Sequence, residues 1–465
     1  MRTFRIAASC TMVFLCSTFK VSAQTQAVAS VTNCSSFDGT GGLREALSSR
    51  NPVHFTCDGI IIAPEMVIAS NTDLDATGQH VTLSGNHTNR LFCVSPGNTL
   101  SLTGLTISDG QATAADCGPD SASSADSTST ASPDDLFGID SSLDSSSGAD
   151  VGGGILNYGT LRVTNTTISH CEADNGGAIA NQGGRVTMTH SSLWENAATL
   201  NVGGALVTSG AALIDHSTIS GNTAKSGGGG IMALNSTLTI SGSTLSGNSA
   251  GSGGGISVGV NGTLAISGST LSGNSSSNAG GGLIVITSGS ATISNSTFTG
   301  NTSQNAGAIF NGESTLTLTN DTISKNAAGD FGAAGGIFNA GQGKIMLKNT
   351  IVAGNSAYIG ADIFGTVSSQ GHNLIGKSAD AKGFVNSDLL DVDPKLEDLT
   401  GGPAYFPLAA DSPAINAGDN DGCPATDERG VARPQESKCD IGAFEFQNAS
   451  TTNVPIATAN ESPSQ

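Results

Sequence analysis

The chain has 465 residues, of which 63 are Gly, 37% are hydrophobic and 12% are charged, and its formal net charge is −20. This charge disfavours a nucleic-acid partner, because phosphate binding requires clustered Lys and Arg. The aliphatic content excludes general disorder, and collagen would need Gly at every third position. The length allows two or three domains or one elongated repeat array, and the composition favours the array.

The N-terminal segment has the parts of a secretory signal peptide. Two Arg residues precede an apolar run from Ile6 to Phe19, and the small residues of Val21-Ser22-Ala23 follow. This order predicts a signal peptide at residues 1–23 with cleavage before Gln24, so we expect an exported protein. No later apolar run approaches about 18 residues, so no membrane-spanning helix is predicted.

The next part of the chain divides into three predicted segments. Residues 24–58 are expected to cap the N-terminal end of the array, and residues 59–111 to form its first coils. Segment 112–150 interrupts the pattern, because it is rich in Ser and holds eight Asp between Asp116 and Asp150. Such a composition is typical of a solvated, disordered insertion.

Seven Cys remain after removal of the predicted signal peptide. Disulfides are expected in an exported protein, and neighbours in sequence make the most reasonable pairs. Cys171 is left over as either a buried small side chain, which we favour, or a reactive thiol. The candidate pairs are Cys34 with Cys57, Cys93 with Cys117, and Cys423 with Cys439.

Residues 151–376 repeat one pattern at intervals of 25 to 28 residues. Each unit holds a recurring apolar residue, in most copies an Asn three positions later, and a Gly pair followed by an aliphatic residue. The pattern predicts three short strands per unit, separated by turns. The apolar positions are Ile168, Leu193, Ile219, Leu245, Leu271, Phe298, Ile323 and Ile351, and the Asn positions are Asn196, Asn222, Asn248, Asn274, Asn301 and Asn326.

Strands this short cannot bury an apolar face alone, so the units must stack. If each unit is one coil, equivalent strands pair in parallel about 4.8 Å apart and like residues form columns along the axis. The Asn column then predicts a ladder of side-chain amides, and the Gly pairs allow positive φ or close approach at the bends. Alternation with Ser, Thr and Gly disfavours a helical solenoid, and no GGxGxD phrase supports a calcium roll. The predicted fold is all-β, a single-stranded parallel β-helix.

The C-terminal segments are predicted to close this stack. An open coil exposes unpaired strand edges, so residues 377–446 are expected to form a small unit that caps the second end, followed by a polar tail at 447–465. Asp427, Arg429 and Asp440 are interpreted as an ion-pair network inside this unit.

Several phrases resemble known families. GGAI at Gly176–Ile179, LWEN at Leu193–Asn196 and FTGN at Phe298–Asn301 resemble the repeat of polymorphic outer-membrane proteins and autotransporter-like passengers. The resemblance implies a right-handed, pectin-lyase-like β-helix on an exported bacterial protein, either extracellular or at the cell surface or outer membrane, with the periplasm as an alternative. The segments Gly41–Leu47, Arg90–Gly110, Asp391–Asp419 and Cys423–Glu445 resemble bacterial choice-of-anchor Q proteins.

One group of residues brings ionisable and aromatic side chains to a surface that otherwise consists mostly of Ser, Thr and Gly. Alignment of the repeats places Asn165, His190 and His216 in one outward column and His170 and Glu195 in another, with Trp194 between them and Asp215 beside His216. We take His190, Glu195, Asp215 and His216 as candidate catalytic residues and Trp194 as a candidate sugar platform. Two imidazoles and a carboxylate could also hold a transition metal, but a decorated turn is the favoured interpretation, and no metal or cofactor is predicted.

Two functions therefore remain open. The favoured one is a non-catalytic, monomeric β-helix with a role in adhesion or envelope structure, whose partner is an extracellular glycan or a component of the cell envelope. The alternative is a polysaccharide lyase or glycoside hydrolase centred on the same residues. Catalysis is disfavoured because the repeat faces are poor in the bases, carboxylates and cations that such enzymes use.

Overall fold

A computed structural model describes residues 27–112 and 150–448, and this part of the chain winds as a right-handed parallel β-helix. Each full coil contributes one strand to each of three long sheets, which we number 1, 2 and 4 in the order in which the chain meets them. Seven coils add a strand of two residues to a further sheet, sheet 3. The sequence predicted three strands per coil, because a strand of two residues leaves no alternation to recognise.

The strand bounds follow the repeat closely. Sheet 1 consists of Ala29–Val31, Val53–Phe55, Thr72–Asp75, Thr99–Thr103, Thr160–Thr164, Arg185–Thr189, Ala211–Asp215, Thr237–Ser241, Thr263–Ser267, Ser290–Ser294, Thr315–Thr319, Lys344–Lys348 and Ser368–Ser369. Sheet 2 consists of Gly59–Ile62, Val81–Ser84, Leu105–Ser108, Thr167–Ser169, Ser192–Trp194, Thr218–Ser220, Thr244–Ser246, Thr270–Ser272, Thr297–Thr299, Thr322–Ser324, Ile351–Val352, Leu374–Ile375 and Leu389–Leu390.

The remaining elements complete the coil and its ends. Sheet 3 consists of Glu172–Ala173, Ala197–Ala198, Thr223–Ala224, Ser249–Ala250, Ser275–Ser276, Thr302–Ser303 and Ala327–Ala328. Sheet 4 consists of Met66–Ile68, Phe92–Val94, Ile155–Asn157, Ile179–Asn181, Leu206–Thr208, Ile231–Ala233, Ile256–Val258, Leu283–Ile286, Ile309–Gly312, Ile337–Ala340, Ile363–Thr366 and Ala381–Lys382. A helix, Leu43–Ser48, lies near the N-terminus, and Thr400–Gly401 pairs with Ala404–Tyr405 in an antiparallel hairpin.

The predicted apolar column lies inside the coil, with one correction. From Ile168 to Ile323 the residues of this column lie in sheet 2, pair in register with one another and are fully buried. The next partner of Ile323 is Val352, whereas Ile351 pairs with Thr322 and faces outward. Ile351 is nevertheless buried, because it packs against Ile441 and Phe444 near the C-terminus. The sequence alignment, which placed Ile351 28 residues after Ile323, therefore assigned Ile351 to the inward position that Val352 occupies.

The predicted Asn ladder is confirmed. Each Asn from Asn196 to Asn326 donates its side-chain amide to the carbonyl oxygen of the next Asn at 2.9–3.0 Å. The ladder continues to Asn355, which donates to Asp362. A second ladder, of Ser and Thr hydroxyls between sheets 1 and 2, ends through Asn373 at Asp388. Both ladders satisfy backbone groups at buried bends, where an unpaired N–H would be costly.

The Gly pairs allow two layers to approach closely outside sheet 4. Gly176 has φ +65°, and a Cβ on it would lie 2.7 Å from Val207 Cγ1. A Cβ on Gly177 would lie 2.6 Å from the backbone nitrogen of Ala197. The turns can therefore lie directly over an outward apolar column that sequence reasoning did not predict. This column includes Cys93, Leu156, Ala180, Val207, Met232, Ile284 and Phe310.

The cysteines fall into bonded and buried groups. Disulfides join Cys34 to Cys57 and Cys423 to Cys439. Cys93 is disulfide-bonded as well, and Cys117, its expected partner, lies outside the described residues. Cys171 is free and fully buried, and burial raises the pKa of its thiol to about 12. This thiol is therefore a small core side chain, because a reactive cysteine needs a lowered pKa.

The segments predicted to cap the two ends of the stack make different contacts with it. The helix Leu43–Ser48 buries Leu43 and Ala46 against the first coil. Residues 391–446, which we call the C-terminal unit, follow the last strand of sheet 2, Leu389–Leu390. They fold back along the outer side of sheet 2, where Thr270, Thr297 and Thr322 bond to them. The predicted signal peptide, the predicted insertion apart from its end residues, and the tail beyond residue 448 lie outside the described residues.

The predicted ion-pair network in the C-terminal unit needs correction as well. Arg429 pairs with Asp427 at 2.7 Å, as expected. Asp440 instead accepts backbone N–H groups of Asn416 and Phe446, and the second buried pair joins Arg433 to Glu445 at 3.4 Å. Asp440 is therefore held by backbone donors.

Candidate functional site

The first ridge of the candidate site is a row of turn residues between sheets 1 and 2. Asn165, His190 and His216 occupy it with φ of 47°, 48° and 44°, and the next two coils carry Gly242 and Gly268 there. Left-handed backbone costs an L-residue roughly 1 kcal/mol, although Asn and His tolerate it better than most. The two His residues therefore stand where Gly would be the less strained choice.

The imidazoles of this ridge form an ordered pair. The rings of His190 and His216 stack with centroids 5.4 Å apart. His216 Nδ1 lies 3.0 Å from Asp215 Oδ2, and Ser241 Oγ donates to Asp215 Oδ1 at 2.6 Å. The hydrogen bond from Ser241, assisted by His216, lowers the pKa of Asp215 below its ordinary value. Asp215 is thus a fixed negative charge at neutral pH.

A second ridge follows sheet 2. Asp109, His170 and Glu195 occupy its turn positions with φ of 52°, 54° and 49°. His170 Nε2 lies 3.2 Å from Glu195 Oε2, and Asp109 accepts hydroxyl hydrogen bonds from Ser84 and Ser108.

Sequence reasoning missed two members of this second ridge. Asp109 lies one coil before His170, and His87 Nε2 is 3.7 Å from Asp109 Oδ1. The predicted repeat covers residues 151–376, so its first aligned coil is that of Ile168, after the predicted insertion. Extending it one coil towards the N-terminus would have placed Asp109 in the same column as His170.

Trp194 stands on the sheet between the two ridges. Its side chain is 41% exposed, and the His170 ring lies nearly perpendicular to the indole, at 86°, with the ring centroids 4.9 Å apart. The indole keeps an open surface beside a carboxylate and an imidazole. An aromatic surface flanked by hydrogen-bonding groups can receive the apolar side of a polar ligand.

The structure brings the predicted residues together as two clusters. One contains His190, Asp215 and His216, and the other contains His170, Trp194 and Glu195. The strand between the ridges separates them by roughly 10–15 Å at about 3.3 Å per residue. Among the described residues no group of three His, Cys, Asp or Glu could hold a metal ion. We call the two clusters together the His–Trp face.

The space beside the first ridge is a shallow depression of about 450 Å³. Asn165, His190 and His216 line one side, and hydroxyls of Thr167, Ser192 and Thr218 line the other. The lining is therefore polar and rich in hydrogen-bond donors and acceptors. Its hydroxyls and imidazoles match the chemistry of a sugar ring or an extended polar chain.

The hydrogen bond from Ser241 lowers the pKa of Asp215 on the His–Trp face. Burial raises the pKa of four described carboxyls, and each of them lies elsewhere, at the bends or against the C-terminal unit: Asp321, Asp362, Glu428 and Asp440. A carboxyl general acid for glycoside cleavage needs such a raised pKa. The His–Trp face is therefore better suited to binding than to general acid catalysis by a carboxyl group.

In the later coils the same ridge is covered. The side-chain amides of Asn295, Asn320 and Asn349 donate to carbonyl oxygens of Thr426, Asp440 and Asp419 in the C-terminal unit. The His–Trp face is the part of this surface that the C-terminal unit leaves free.

Comparison with known proteins agrees with the class of fold. Residues 230–375 match the family described as right handed beta helix region. No curated protein matches the chain. None of the helices in the described part is both long and apolar enough to span a bilayer.

Proposed function

We propose that this protein is an exported, non-catalytic β-helix that binds a glycan of the cell surface or envelope through the His–Trp face. The observation that carries the proposal is Trp194, whose indole is open to solvent beside the His170–Glu195 pair. Sugars are bound by aromatic surfaces for their C–H side and by carboxylates and imidazoles for their hydroxyls. These two kinds of group meet here at one strand.

Export and surface location belong to the same proposal. They are supported by the signal-peptide pattern at residues 1–23 and by the disulfides, which persist in oxidising compartments. The likeness of Asp391–Glu445 to choice-of-anchor Q proteins and of the repeats to polymorphic outer-membrane proteins points in the same direction. A rigid rod of stacked coils would hold the His–Trp face away from the point of attachment.

The test is retention of the purified mature chain on immobilised neutral and acidic polysaccharides. We expect retention on at least one glycan and its loss in Trp194→Ala, because the sugar loses its stacking surface. Phe331→Ala is the matched control, since Phe331 is 85% exposed and lies on a distant turn. Equal retention of both variants, or no retention of the parent chain, would contradict the proposal.

A second candidate is a polysaccharide lyase or glycoside hydrolase at the same face. It is favoured by the Asp215–His216 and His170–Glu195 pairs, since an imidazole held by a carboxylate can accept or donate a proton. The assay is incubation with the same polysaccharides, with and without divalent metal, followed by detection of new reducing ends and unsaturated uronates. Cleavage that disappears when His190, Glu195, Asp215 and His216 are all replaced by Ala would establish the enzyme in place of the binding protein.

A further inference from the structure

A second concave site lies between the side of the last coils and the C-terminal unit. This cleft has a volume of about 540 Å³. Lys325, Gly376 and Lys377 line its coil side together with Asp362, and Asp391 and Asp393 line the side of the C-terminal unit. We call it the junction cleft.

Within the part of the chain that the structure describes, Asp362 has one carboxylate oxygen without a hydrogen-bond partner. Its Oδ1 ends the Asn ladder by accepting the backbone N–H and the side-chain amide of Asn355, both at 2.9 Å. Its Oδ2 is buried and accepts no hydrogen bond, and the residue as a whole is 1% exposed. Burial raises the pKa of Asp362, and the hydrogen bonds from Asn355 and the nearby backbone N–H of Lys377 oppose this rise. The N–H of Lys377 does not reach hydrogen-bond geometry with Oδ2.

Asp388 shows that the end of a ladder does not require such an orphan oxygen. It ends the hydroxyl ladder, and its Oδ1 accepts from the backbone N–H and side-chain amide of Asn373 and from Ser369 Oγ. Its Oδ2 accepts the backbone N–H of Val385 at 2.8 Å. The free oxygen of Asp362 is therefore a local feature of the junction cleft.

Gly376 lies directly beside this buried oxygen at the wall of the cleft. A Cβ on Gly376 would lie 2.8 Å from Asp362 Oδ2 and within contact of Ala353. The φ of Gly376 is outside the left-handed region, so its backbone does not require Gly. The missing side chain therefore serves the space between the cleft and the carboxylate.

The charges of the cleft limit what it can hold. Lys325 Nζ lies 5.0 Å from the centre of the Phe406 ring, and neither Lys325 nor Lys377 forms an ion pair within the described residues. The three carboxylates are not grouped closely enough for a metal ion among the described residues, and they would repel a phosphate. Within the described residues the floor therefore lacks a hydrogen-bond donor for Asp362 Oδ2, and the ammonium groups of the rim have no salt-bridge partner.

We propose that the junction cleft binds a free amino acid, or a similar small molecule that carries a primary ammonium group beside a carboxylate. The ammonium donates to Asp362 Oδ2, with Asp391 and Asp393 adding to the negative field. The ligand carboxylate pairs with Lys377 and Lys325. A buried carboxylate is stabilised only when it is paired, so the ligand supplies what the fold leaves out.

The test measures binding of separate small probes to the mature chain by calorimetry. The common L-amino acids carry both groups, whereas ethylamine carries the ammonium alone and propionate the carboxylate alone. We expect at least one amino acid to bind about 10-fold or more tightly than ethylamine and propionate, because it makes both ion pairs. Failure of every amino acid to bind in the millimolar range would overturn the proposal.

Two variants and a control assign the binding to the cleft. Asp362→Asn keeps an oxygen for Asn355 but presents an amide to the ligand, and Gly376→Ala fills the approach, so both should lose about 10-fold or more in affinity. Asp388→Asn changes the other ladder end in the same way and should bind like the parent. Unchanged affinity in Asp362→Asn, or an equal loss in Asp388→Asn, would refute the assignment. Thermal unfolding of each variant verifies that it is folded.

Discussion

The outer face of sheet 2 has similar chemistry along its length, yet one half is exposed and the other is covered. Thr218 and Thr244 face solvent, whereas Thr270 and Thr297, the next residues of the same in-register column, are buried under the C-terminal unit. The repeat therefore builds one surface, and the return of the chain divides it. The turn ridge distinguishes the halves through His190 and His216, because its other positions between residues 165 and 349 hold Asn or Gly.

The covered half also shows how this face binds. Glu428, which is 8% exposed, accepts hydrogen bonds from the hydroxyls of Thr270 and Thr297, and ridge amides donate to backbone carbonyls. Hydroxyls and turn side chains are thus the groups that recognise a polar partner. The exposed half offers the same hydroxyls with imidazoles and an indole added.

The largest expected effect is the loss of stability of the covered half when Arg433 is replaced. Its side chain is fully buried, pairs with Glu445 and donates to the carbonyl oxygens of Asp440 and Gly442. Arg433→Ala leaves buried carboxylates unpaired, so we expect a loss of about 3–5 kcal/mol in the free energy of unfolding. Chemical denaturation combined with proteolysis of residues 391–446 measures it. Arg162→Ala, an exposed control on sheet 1, should change stability by less than about 0.5 kcal/mol.

The next effect is a pH dependence of the covered half. Burial raises the pKa of Asp440 to about 6 and that of Glu428 well above its ordinary value. A carboxyl whose folded pKa is raised binds protons more readily when folded, so stability rises as the pH falls through about 6. The whole shift of Asp440 corresponds to about 3 kcal/mol, of which about half is gained by pH about 5. We expect the Tm to increase between pH about 8 and about 5.

The exposed half should respond to acid in the opposite sense. Because the pKa of Asp215 is lowered, its contribution is present above the unfolded pKa and disappears as the pH falls through the folded value. Loss of the His–Trp face in strong acid should therefore follow the stabilisation seen in mild acid. A Tm that falls steadily from pH about 8 to about 5 would contradict this assignment of the two halves.

A smaller effect separates two equivalent threonines. Thr297 Oγ1 donates to Glu428 Oε2 at 2.6 Å, whereas Thr218 occupies the same column in solvent. Thr297→Val should cost about 1–3 kcal/mol because it leaves a buried carboxyl without its donor, and Thr218→Val should cost less than about 0.5 kcal/mol. Urea denaturation of the two variants gives the difference directly. Equal values would mean that the C-terminal unit does not rest on this column.

The smallest effect tests the turn ridge itself. His216→Gly removes a side chain from a left-handed turn, so we expect unfolding free energy to stay constant or rise by up to about 1 kcal/mol. Asn320→Gly relieves the same backbone but loses the hydrogen bond to Asp440, so it should be destabilising by about 1 kcal/mol. Thermal unfolding of both variants decides the comparison. A clear loss in His216→Gly would assign the imidazole a structural role.

The sequence predicted the coil because its period is visible in every unit. The inward column and the Asn ladder follow from residues repeated in one chemical type, so position along the chain gave position in space. The return of residues 391–446 along sheet 2 was not predicted, since it depends on contacts of single residues such as Ile351 with Phe444. The pairing of His170 with Glu195 could be anticipated from the alignment, but the orphan oxygen of Asp362 could not.

The Asp residues at the ladder ends have a consequence for the length of the rod. In the Asn ladder one side-chain N–H of each Asn donates to the next coil, and in the hydroxyl ladder a backbone N–H of each coil does so. Each ladder therefore reaches its C-terminal end with donors that need an acceptor. An acceptor without a proton to pass on must stand there, and Asp362 and Asp388 do. Whole units can be inserted or deleted upstream without disturbing this polarity. An Asp placed earlier in the Asn ladder would keep the backbone link to the next coil, as Asp321 does in the hydroxyl ladder, but would lose the side-chain donors of that coil.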